Sequence, residues 1–399
     1  MSELTDYYNI DYVKDTFYSG EYCVVDVETH LIEKKRSTYK KIPHFLVGGV
    51  ISPLEFSGVS NTHSVAALVD IIRNRNILVG HNIRFDLTVL SPYISSEVYH
   101  SICDETVVWD TQLFTYIHSG QTETWPSLDK SLIYFGLGHL CKEADVSEKI
   151  KSGVCPSTMD INELGNYLKQ DVEITHALFV KQLRTFKTMS KPMCNVILQA
   201  MKYQMVTHRM SSNGLQLNRE EARLERNNIY REHATVEARL YNYMLHNLPN
   251  RMKQTITPSS PRQVLTLLGG GEVTVVNEVK IGVYKTGPKK GTSKTKKIEK
   301  QVTVTAKVAV GTDLTTSEKD LSEWLTYACL ASTFASEAEI EFITDLLDYR
   351  KMSKDLKTYF DGYLELGGDD GLLKPQYNHC VTPTGRISCS NPNLMNLPK

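Results

Sequence analysis

The sequence predicts three consecutive regions: an α/β domain over residues 1–190, a mainly helical region over 191–335, and the beginning of an α+β region over 336–399. Apolar, β-rich segments (EYCVVDVET, PHFLVGGVI and NILVG) alternate with the amphipathic segment HSVAALVDIIRN, and this alternation indicates an α/β domain. From about residue 193 the pattern changes to long helical segments. A chain of 399 residues is also too long for one ordinary domain.

The composition excludes several classes of protein. Hydrophobic residues make up 41% of the chain and charged residues 23%, as in a water-soluble globular protein. No run of about eighteen apolar residues could span a membrane, and the start has no signal-peptide pattern. The eight cysteines are scattered without a CxxC pair, which favours reduced thiols over disulfides or a zinc site. We therefore expect a cytoplasmic protein without a membrane partner.

Charge is unevenly distributed along the chain. Residues 1–190 contain 17 Lys and Arg against 24 Asp and Glu, whereas the remainder contains 28 against 22. An acidic first half suits metal binding or catalysis by carboxylates, and a basic second half suits contact with a polyanion. Chance drift between two domains is the alternative interpretation.

Local signals divide the second half further. Ser260, Pro261 and Gln263 predict a helix start with a capping box, and Gly269 predicts its end. Residues 274–311 alternate valines around a Lys-rich tip, which predicts a β-ribbon with an exposed loop. A further helix is predicted at about 336–363, and the last thirty residues are expected to be extended.

Carboxylates of the first domain occur in a suggestive pattern. Asp26 and Glu28 are two apart on a predicted strand, so both leave the same face of the sheet. Two adjacent carboxylates repel each other, and a divalent cation is the usual resolution. By itself this pair is weak support for a metal site, because such a spacing also arises by chance.

Two further acids lie beside apolar helix faces. Asp86 lies among apolar residues at the start of a predicted helix, and Tyr167 and Asp171 are one helical turn apart. A buried acid needs a partner, which a metal ion could provide. The alternatives are a helix-terminal or surface acid at position 86 and a structural Tyr–Asp pair on the second helix.

In order and context these segments resemble a known enzyme family. A strand with DVET, NIRFD opening a helix, YLKQD within a helix and WDTQLF between them resemble the tyrosine-bearing branch of the DEDD exonuclease superfamily. The resemblance implies a ribonuclease-H-like fold and removal of nucleotides from 3′ ends. It also implies that Asp26, Glu28, Asp86 and Asp171 hold two Mg²⁺ or Mn²⁺ ions, with Tyr167 beside the attacking water. Asn82 is expected to fix a turn or touch substrate.

Basic residues of the second half suggest DNA contacts. Residues 280–307 contain nine lysines and one acid, which suits phosphate contact without sequence readout. A second candidate is a predicted helix face that carries Arg350, Lys354 and Lys357, with Tyr349 and Tyr359 interleaved. A solvated loop and an ordinary solvated face are the alternatives. The lysines of the first group that we predict to bind DNA are Lys289, Lys290, Lys294, Lys296 and Lys297.

The end of the chain resembles a second family. TPTGRISCSNPNLMNLP is similar to the segment T-x-T-G-R-L-S-S-x-x-P-N-L-Q-N-I-P of family A DNA polymerases, the polymerase I and phage replicase class. SSNGLQLN, SPRQVLTLLGG and LDYRKMSKDLKTYFDGY are also similar to the thumb and early palm of that family. The resemblance implies DNA contacts by Thr384, Arg386 and Asn393, with Arg386 in the minor groove at the primer end. Cys389 and Met395 depart from the pattern, which puts a primer contact at 395 in doubt.

Together, the two resemblances predict the N-terminal part of a family A DNA-directed DNA polymerase with a proofreading 3′–5′ exonuclease. The polymerase catalytic aspartates and the fingers helix would follow this segment in that family, so we expect a second polypeptide to supply them; a truncated product is the alternative. Primer–template DNA is the expected partner, a processivity factor is possible on the same resemblance, and a phage origin would place the protein in the host cytoplasm. The alternatives are a DNA-binding scaffold with an inactive nuclease site and a stand-alone 3′–5′ exonuclease.

Overall fold

The computed structural model describes residues 13, 21–30, 46–51, 56–59, 65–141, 145–283, 288, 292–307, 315–330 and 336–397. The chain forms two compact units. The first unit combines Met1–Leu217 with Leu366–Lys399, and the second is Asn218–Glu365. These units are defined by packing, and the domain limits expected from the sequence at 190/191 and 335/336 stay predictions.

Helices and strands alternate in the first part of the chain, as the pattern predicted. The strands are β1 (Tyr22–Thr29), β2 (Leu46–Ile51), β3 (Phe56–Val59), β4 (Ile77–Gly80), β5 (Val107–Asp110), β6 (Leu215–Gln216), β7 (Gly271–Val283), β8 (Ser293–Val304), β9 (Leu372–Leu373), β10 (Gln376–Asn378) and β11 (Ser388–Ser390). The α-helices are α1 (Val65–Arg73), α2 (Arg84–Leu90), α3 (Ser96–Glu105), α4 (Thr111–His118), α5 (Leu128–Tyr134), α6 (Asp145–Lys151), α7 (Ile161–Thr188), α8 (Lys191–Asn213), α9 (Arg219–Asn247), α10 (Pro261–Gly269), α11 (Glu318–Leu330), α12 (Glu337–Lys354) and α13 (Gly362–Gly367). Within these described residues, no helix is both long and apolar enough to cross a membrane.

A five-stranded mixed sheet lies at the centre of the first unit, in the order β3–β2–β1–β4–β5. Strand β1 pairs antiparallel with β2 and parallel with β4, and β4 pairs parallel with β5. The β1–β4 pairing ends at Val24 opposite Val79, whereas β2 follows β1 as far as Thr29. The second half of β1 therefore extends beyond the end of β4. This sheet and its helices agree with the predicted α/β class, and the ribonuclease-H-like assignment stays a prediction.

The two faces of the sheet carry separate apolar cores. Tyr22 and Val24 belong to one core together with Ile174 of α7, whereas Val25 and Val27 belong to the other together with helix α2. Alternate residues of a strand point to opposite faces. Asp26 and Glu28 have the same parity as Val24, so they lie on the face that α7 covers.

The last part of the chain packs into the first unit. The backbone N–H of Trp125 donates to the carbonyl of Cys380 at 2.6 Å, and the Tyr116 hydroxyl donates to the carbonyl of Thr382 at 2.6 Å. The Arg84 guanidinium donates to the carbonyl of Tyr377. Short strands β10 and β11 pair antiparallel within this segment, and β9 pairs with β6. The extended character predicted for the last thirty residues therefore takes the form of short paired strands.

The second unit has a helical core closed by the base of a β-ribbon. Leu240 of α9, Leu267 of α10 and Leu346 of α12 are fully buried with Val273 and Val275 of β7. The predicted helix start at Ser260 is confirmed, because its hydroxyl accepts from the backbone of Gln263 and Pro261 is the first helical residue.

The capping box expected at that helix is wrong. The Gln263 side chain does not return to the backbone of Ser260. Its Oε1 accepts from the N–H of Thr257 at 2.9 Å and its Nε2 donates to the carbonyl of Thr255 at 2.8 Å. Gln263 is buried, and these two backbone groups of the preceding turn satisfy both ends of its amide.

The predicted β-ribbon is present, with antiparallel pairing from Gly271 opposite Val304 to Val283 opposite Ser293. A bulge interrupts the register between Lys280 and Gly282. The ribbon starts three residues before the predicted limit of 274. The helix predicted at about 336–363 is α12, followed by a π-helix over Asp355–Asp361 and then α13.

Candidate functional site

Three carboxylates of the first unit converge at one place. Oxygens of Asp26, Glu28 and Asp171 lie within 4.8 Å of one another. Strand β1 supplies the first two from its end beyond β4, and α7 supplies the third from the turn before Ile174. Asp171 is buried, and the other two are partly buried. The structure thus brings together three of the acids selected from the sequence; their role as metal ligands stays a prediction.

Asp86 lies beside this cluster without being one of the three. It is in the first turn of α2 and is 2% exposed. Burial raises its pKa well above the usual range, and the nearby charges of Asp26 and Glu28 raise it further, whereas its own backbone N–H and that of Val27 lower it. Its Oδ1 is buried without a hydrogen-bond partner among the described residues. An orphaned carboxylate oxygen next to other acids fits a site for a hard divalent cation.

Tyr167 precedes Asp171 by one turn of α7. Burial raises its pKa, and the charges of Asp171, Glu28 and Asp26, together with a hydrogen bond to Asp171, raise it further. The hydroxyl therefore keeps its proton at neutral pH and donates it to Asp171. This state is unsuited to a general base and agrees with an orienting role.

A buried carboxylate holds the turn that leads to Asp86. Asp110 at the end of β5 is 0% exposed. Its Oδ1 accepts from the N–H of Asn82 at 3.0 Å, of Gln112 at 2.9 Å and of Leu113 at 3.3 Å. Its Oδ2 accepts from Nε2 of Gln204 at 2.7 Å. Asn82 has φ 58°, in the left-handed region that Asn tolerates better than most residues.

This network clarifies two sequence-based expectations. The turn role expected for Asn82 is present, because its backbone is anchored to Asp110 between β4 and α2; its contact with substrate stays a prediction. Asp110 was not selected as a functional residue, although an acid between a strand and a helix start is a recognisable N-cap signal. Gln204 carries no such signal, because its partner is 94 residues away in the sequence.

The basic residues predicted to bind DNA have different surroundings. Lys289 and Lys290 lie outside the described residues. Lys294, Lys296 and Lys297 are exposed on β8, and Lys354 is exposed at the end of α12. These exposed lysines are accessible to a polyanion, and the contact itself stays a prediction.

Arg350 does not belong to an exposed basic face. It is partly buried, donates to the backbone carbonyl of Thr316, and has a pKa lowered by burial. The aromatic residue expected beside it, Tyr349, is buried; its hydroxyl bonds with Ser259 at 2.9 Å and Glu237 at 3.1 Å. The π-helix after α12 also changes the number of residues per turn, so the face does not continue regularly beyond Lys354.

The segment around Arg386 presents exposed side chains on a defined turn. Thr384 and Arg386 are exposed, and the Thr382 hydroxyl donates to the carbonyl of Arg386 at 2.7 Å. The Oδ1 of Asn393 accepts from the N–H of Met395 at 3.1 Å, which caps a short 3₁₀-helix. Asn393 thus has a structural role at this turn, and the DNA contacts of all three predicted residues stay predictions.

Comparison with known proteins points to one family of nucleic-acid-processing enzymes. Residues 289–399 match the family model described as DNA polymerase family A. DNA polymerase I of Pseudomonas aeruginosa is 24% identical over 332 residues, which cover 81% of this chain and 30% of that protein. DNA polymerase I of Synechocystis sp. is 42% identical over 57 residues, and that of Lactococcus lactis subsp. cremoris is 38% identical over 56 residues. Each of these two alignments covers 14% of this chain and 6% of the relative.

A solved structure is similar over almost the whole chain. The POL domain of Pol1 from M. smegmatis, in complex with DNA primer-template and dNTP, has a TM-score of 0.57 and 14% sequence identity. The match covers 94% of this chain and 52% of that one. The chain is therefore similar in sequence to family A DNA polymerases, most clearly over its C-terminal part, and similar to one of them in fold. It spans less than a third of the length of the curated relatives that it matches.

Proposed function

We propose that this chain is a metal-dependent 3′–5′ exonuclease that forms the N-terminal part of a family A DNA polymerase and acts on primer–template DNA. The observation that supports this most strongly is the convergence of Asp26, Glu28 and Asp171 beside the buried Asp86. The similarity to DNA polymerase I over 81% of the chain supports DNA as the substrate class.

The donor set suits Mg²⁺ or Mn²⁺, since every candidate ligand is a carboxylate oxygen. Asp26, Glu28 and Asp171, with Asp86 beside them, would together hold two cations. Bound there, divalent cations would neutralise charge at the transferring phosphoryl group and lower the pKa of a water molecule.

The chain's own residues supply positioning. Tyr167 keeps its hydroxyl proton, which it donates to Asp171, and its oxygen would orient the attacking water by accepting a hydrogen bond from it. Asp110 fixes the Asn82 turn, from which α2 carries Asp86 towards the cluster. Fixing these groups beforehand lowers the cost of reaching the reactive geometry. A second polypeptide, a processivity factor and a cytoplasmic location, in the host if the protein is phage-encoded, stay predictions.

The proposal is tested with the purified chain and a primer–template labelled at the primer 5′ end and mismatched at its 3′ end. We expect a ladder of products shortened from the 3′ end in Mg²⁺ or Mn²⁺ and none in EDTA. Parallel reactions contain single-stranded RNA of the same sequence. Unchanged primer in Mg²⁺, with DNA still bound in an anisotropy titration, would favour the scaffold function. Equal shortening of DNA and RNA would favour a stand-alone nuclease.

Changing Tyr167 to Phe is expected to slow nucleotide release about 10–100-fold, as is usual for residues that orient a metal-site ligand. The carboxylates remain, so stabilisation of the fold by Mg²⁺ should persist. Release is measured under single-turnover conditions, and Mg²⁺ stabilisation by thermal melting. Tyr230→Phe, at a tyrosine that is 56% exposed in the second unit, is the matched control. Unchanged release in Tyr167→Phe would contradict a role for this hydroxyl.

A further inference from the structure

The pairing register of the ribbon sorts its side chains onto two faces. Residues directly opposite each other in an antiparallel pair point to the same side. One side, which we call the cationic face, carries Lys294, Lys296 and Lys300, with Ile298 between them and Val279 opposite Lys296. The opposite side, which we call the mixed-charge side, carries two lysines and three glutamates: Lys280, Lys297, Glu272, Glu278 and Glu299.

The lysines of the two faces differ in their acidic neighbours. On the mixed-charge side, Lys297 lies directly opposite Glu278, and Glu299 forms an ion pair with Lys253 at 2.8 Å. On the cationic face, none of the ribbon residues described over 271–283 and 292–307 is acidic. Among the described ribbon residues, the net positive charge is thus concentrated on one face.

The cationic face is exposed where it leaves the core of the second unit. At the base of the ribbon, Val273, Val275 and Val304 of this face are buried. Further along, Val279 is 43% exposed and Ile298 45% exposed, between exposed lysines. Lys294 to Lys300 spans about 20 Å at the usual rise of a strand. Along duplex DNA this length corresponds to about six base pairs, with phosphates on both strands.

We propose that the cationic face of the ribbon binds the phosphate backbone of duplex DNA without reading its sequence. The proposal rests on the proposed function in taking DNA as the ligand, but it assigns a surface in the second unit that does not include the carboxylate cluster. Lysines on alternate positions can reach successive phosphates. The apolar side chains between them can contact sugars, which carry no charge. The mixed-charge side is less suited to binding phosphates, because its glutamates outnumber its lysines.

The test compares two variants of the full chain with equal charge change. The first is Lys294→Gln/Lys296→Gln/Lys300→Gln, which neutralises the cationic face. The second, a matched control, is Lys253→Gln/Lys280→Gln/Lys319→Gln, which removes one lysine of the mixed-charge side, the lysine paired with Glu299 of that side, and one exposed lysine of α11. Binding to a 30-base-pair duplex is followed by fluorescence anisotropy between 50 and 200 mM KCl. EDTA is present throughout, so that binding is measured without nuclease activity.

Each phosphate contact contributes about 0.9 to the slope of log K against log salt. The cationic-face variant should therefore lose about 2–3 from the magnitude of this slope, and the control less than about 1. Melting temperatures of both variants should match the parent, since all six lysines are at exposed or partly exposed positions. Equal slopes for the two variants, or an unchanged slope for the cationic-face variant, would overturn the assignment. Because the readout requires no metal, a failed nuclease assay would leave this result interpretable.

Discussion

Replacing both Asp26 and Glu28 by alanine is expected to reduce Mg²⁺-dependent nucleotide release by about 10³-fold or more. These residues supply two of the three carboxylates whose oxygens converge within 4.8 Å. Metal ions provide several kcal/mol of charge stabilisation in such reactions, and about 1.4 kcal/mol corresponds to a tenfold change in rate. Release of a 3′-terminal label measures the effect. Asp70→Ala/Glu97→Ala, which removes one exposed Asp and one exposed Glu of the same unit, is the control.

The same double variant should alter the stability of the protein in opposite directions with and without metal. In EDTA, removing two like charges from beside Asp171 and Asp86 should raise the melting temperature. At saturating Mg²⁺ the parent gains about 2.7 kcal/mol when the ion is at a hundred times its dissociation constant, and the variant should lose this gain. A variant that still melts at a higher temperature in Mg²⁺, or still releases nucleotides at the parent rate, would contradict metal binding by these two residues.

Replacing Asp110 by alanine is expected to lower the free energy of unfolding by about 3–5 kcal/mol. The change leaves the N–H groups of Asn82, Gln112 and Leu113 and the amide of Gln204 without their acceptor in a fully buried site. Asp110→Asn should cost much less. Its remaining oxygen can serve the three backbone donors. The Gln204 amide can rotate to present its Oε1, which is buried without a hydrogen-bond partner among the described residues.

Urea unfolding, with the slope unchanged and the midpoint lowered, is the measurement for these variants. Asp160→Ala is a matched control. Asp160 caps α7 through the N–H groups of Asn162 at 2.9 Å and Glu163 at 3.0 Å but is exposed, so its loss should cost about 1 kcal/mol. Equal losses for Asp110→Ala and Asp160→Ala would show that burial of the Asp110 network contributes little.

Local periodicity predicted which acids share a face, and the resemblance to the DEDD exonucleases grouped them into one site. The alternation of β1 placed Asp26 and Glu28 on one face, and helical spacing placed Tyr167 and Asp171 on another element one turn apart. Both follow from the neighbouring sequence alone. Gln204 was not anticipated, because its contact with Asp110 depends on how helix α8 packs on the end of β5. The surroundings of Arg350 were not anticipated for a related reason: its guanidinium donates to the backbone of Thr316, and tertiary packing overrides a pattern of exposed charge on one helix. Its contact with DNA stays a prediction.

The ribbon shows a different limit of sequence reasoning. Its lysines and its strand character were evident from composition and alternation. The division into a cationic face and a mixed-charge side was not evident from the sequence, since a shift of one residue in register moves every side chain to the other face. The bulge between Lys280 and Gly282 changes the register of the distal part, and only the paired strands reveal where it lies.

The adjacency of β6 and β9 has a consequence for how the protein folds during synthesis. Leu215 pairs with Leu373, and the N–H of Leu217 donates to the carbonyl of Gly371 at 2.8 Å, so the chain leaves and re-enters the first unit at neighbouring points. All of Asn218–Glu365 emerges from the ribosome between these two crossings. The conformational entropy lost when the two ends of this insert come together grows only slowly with its length. Folding of the insert would further shorten the flexible chain between those ends. The first unit contains β1, yet its native hydrogen bonding can be completed only after residues 366–397 have been translated.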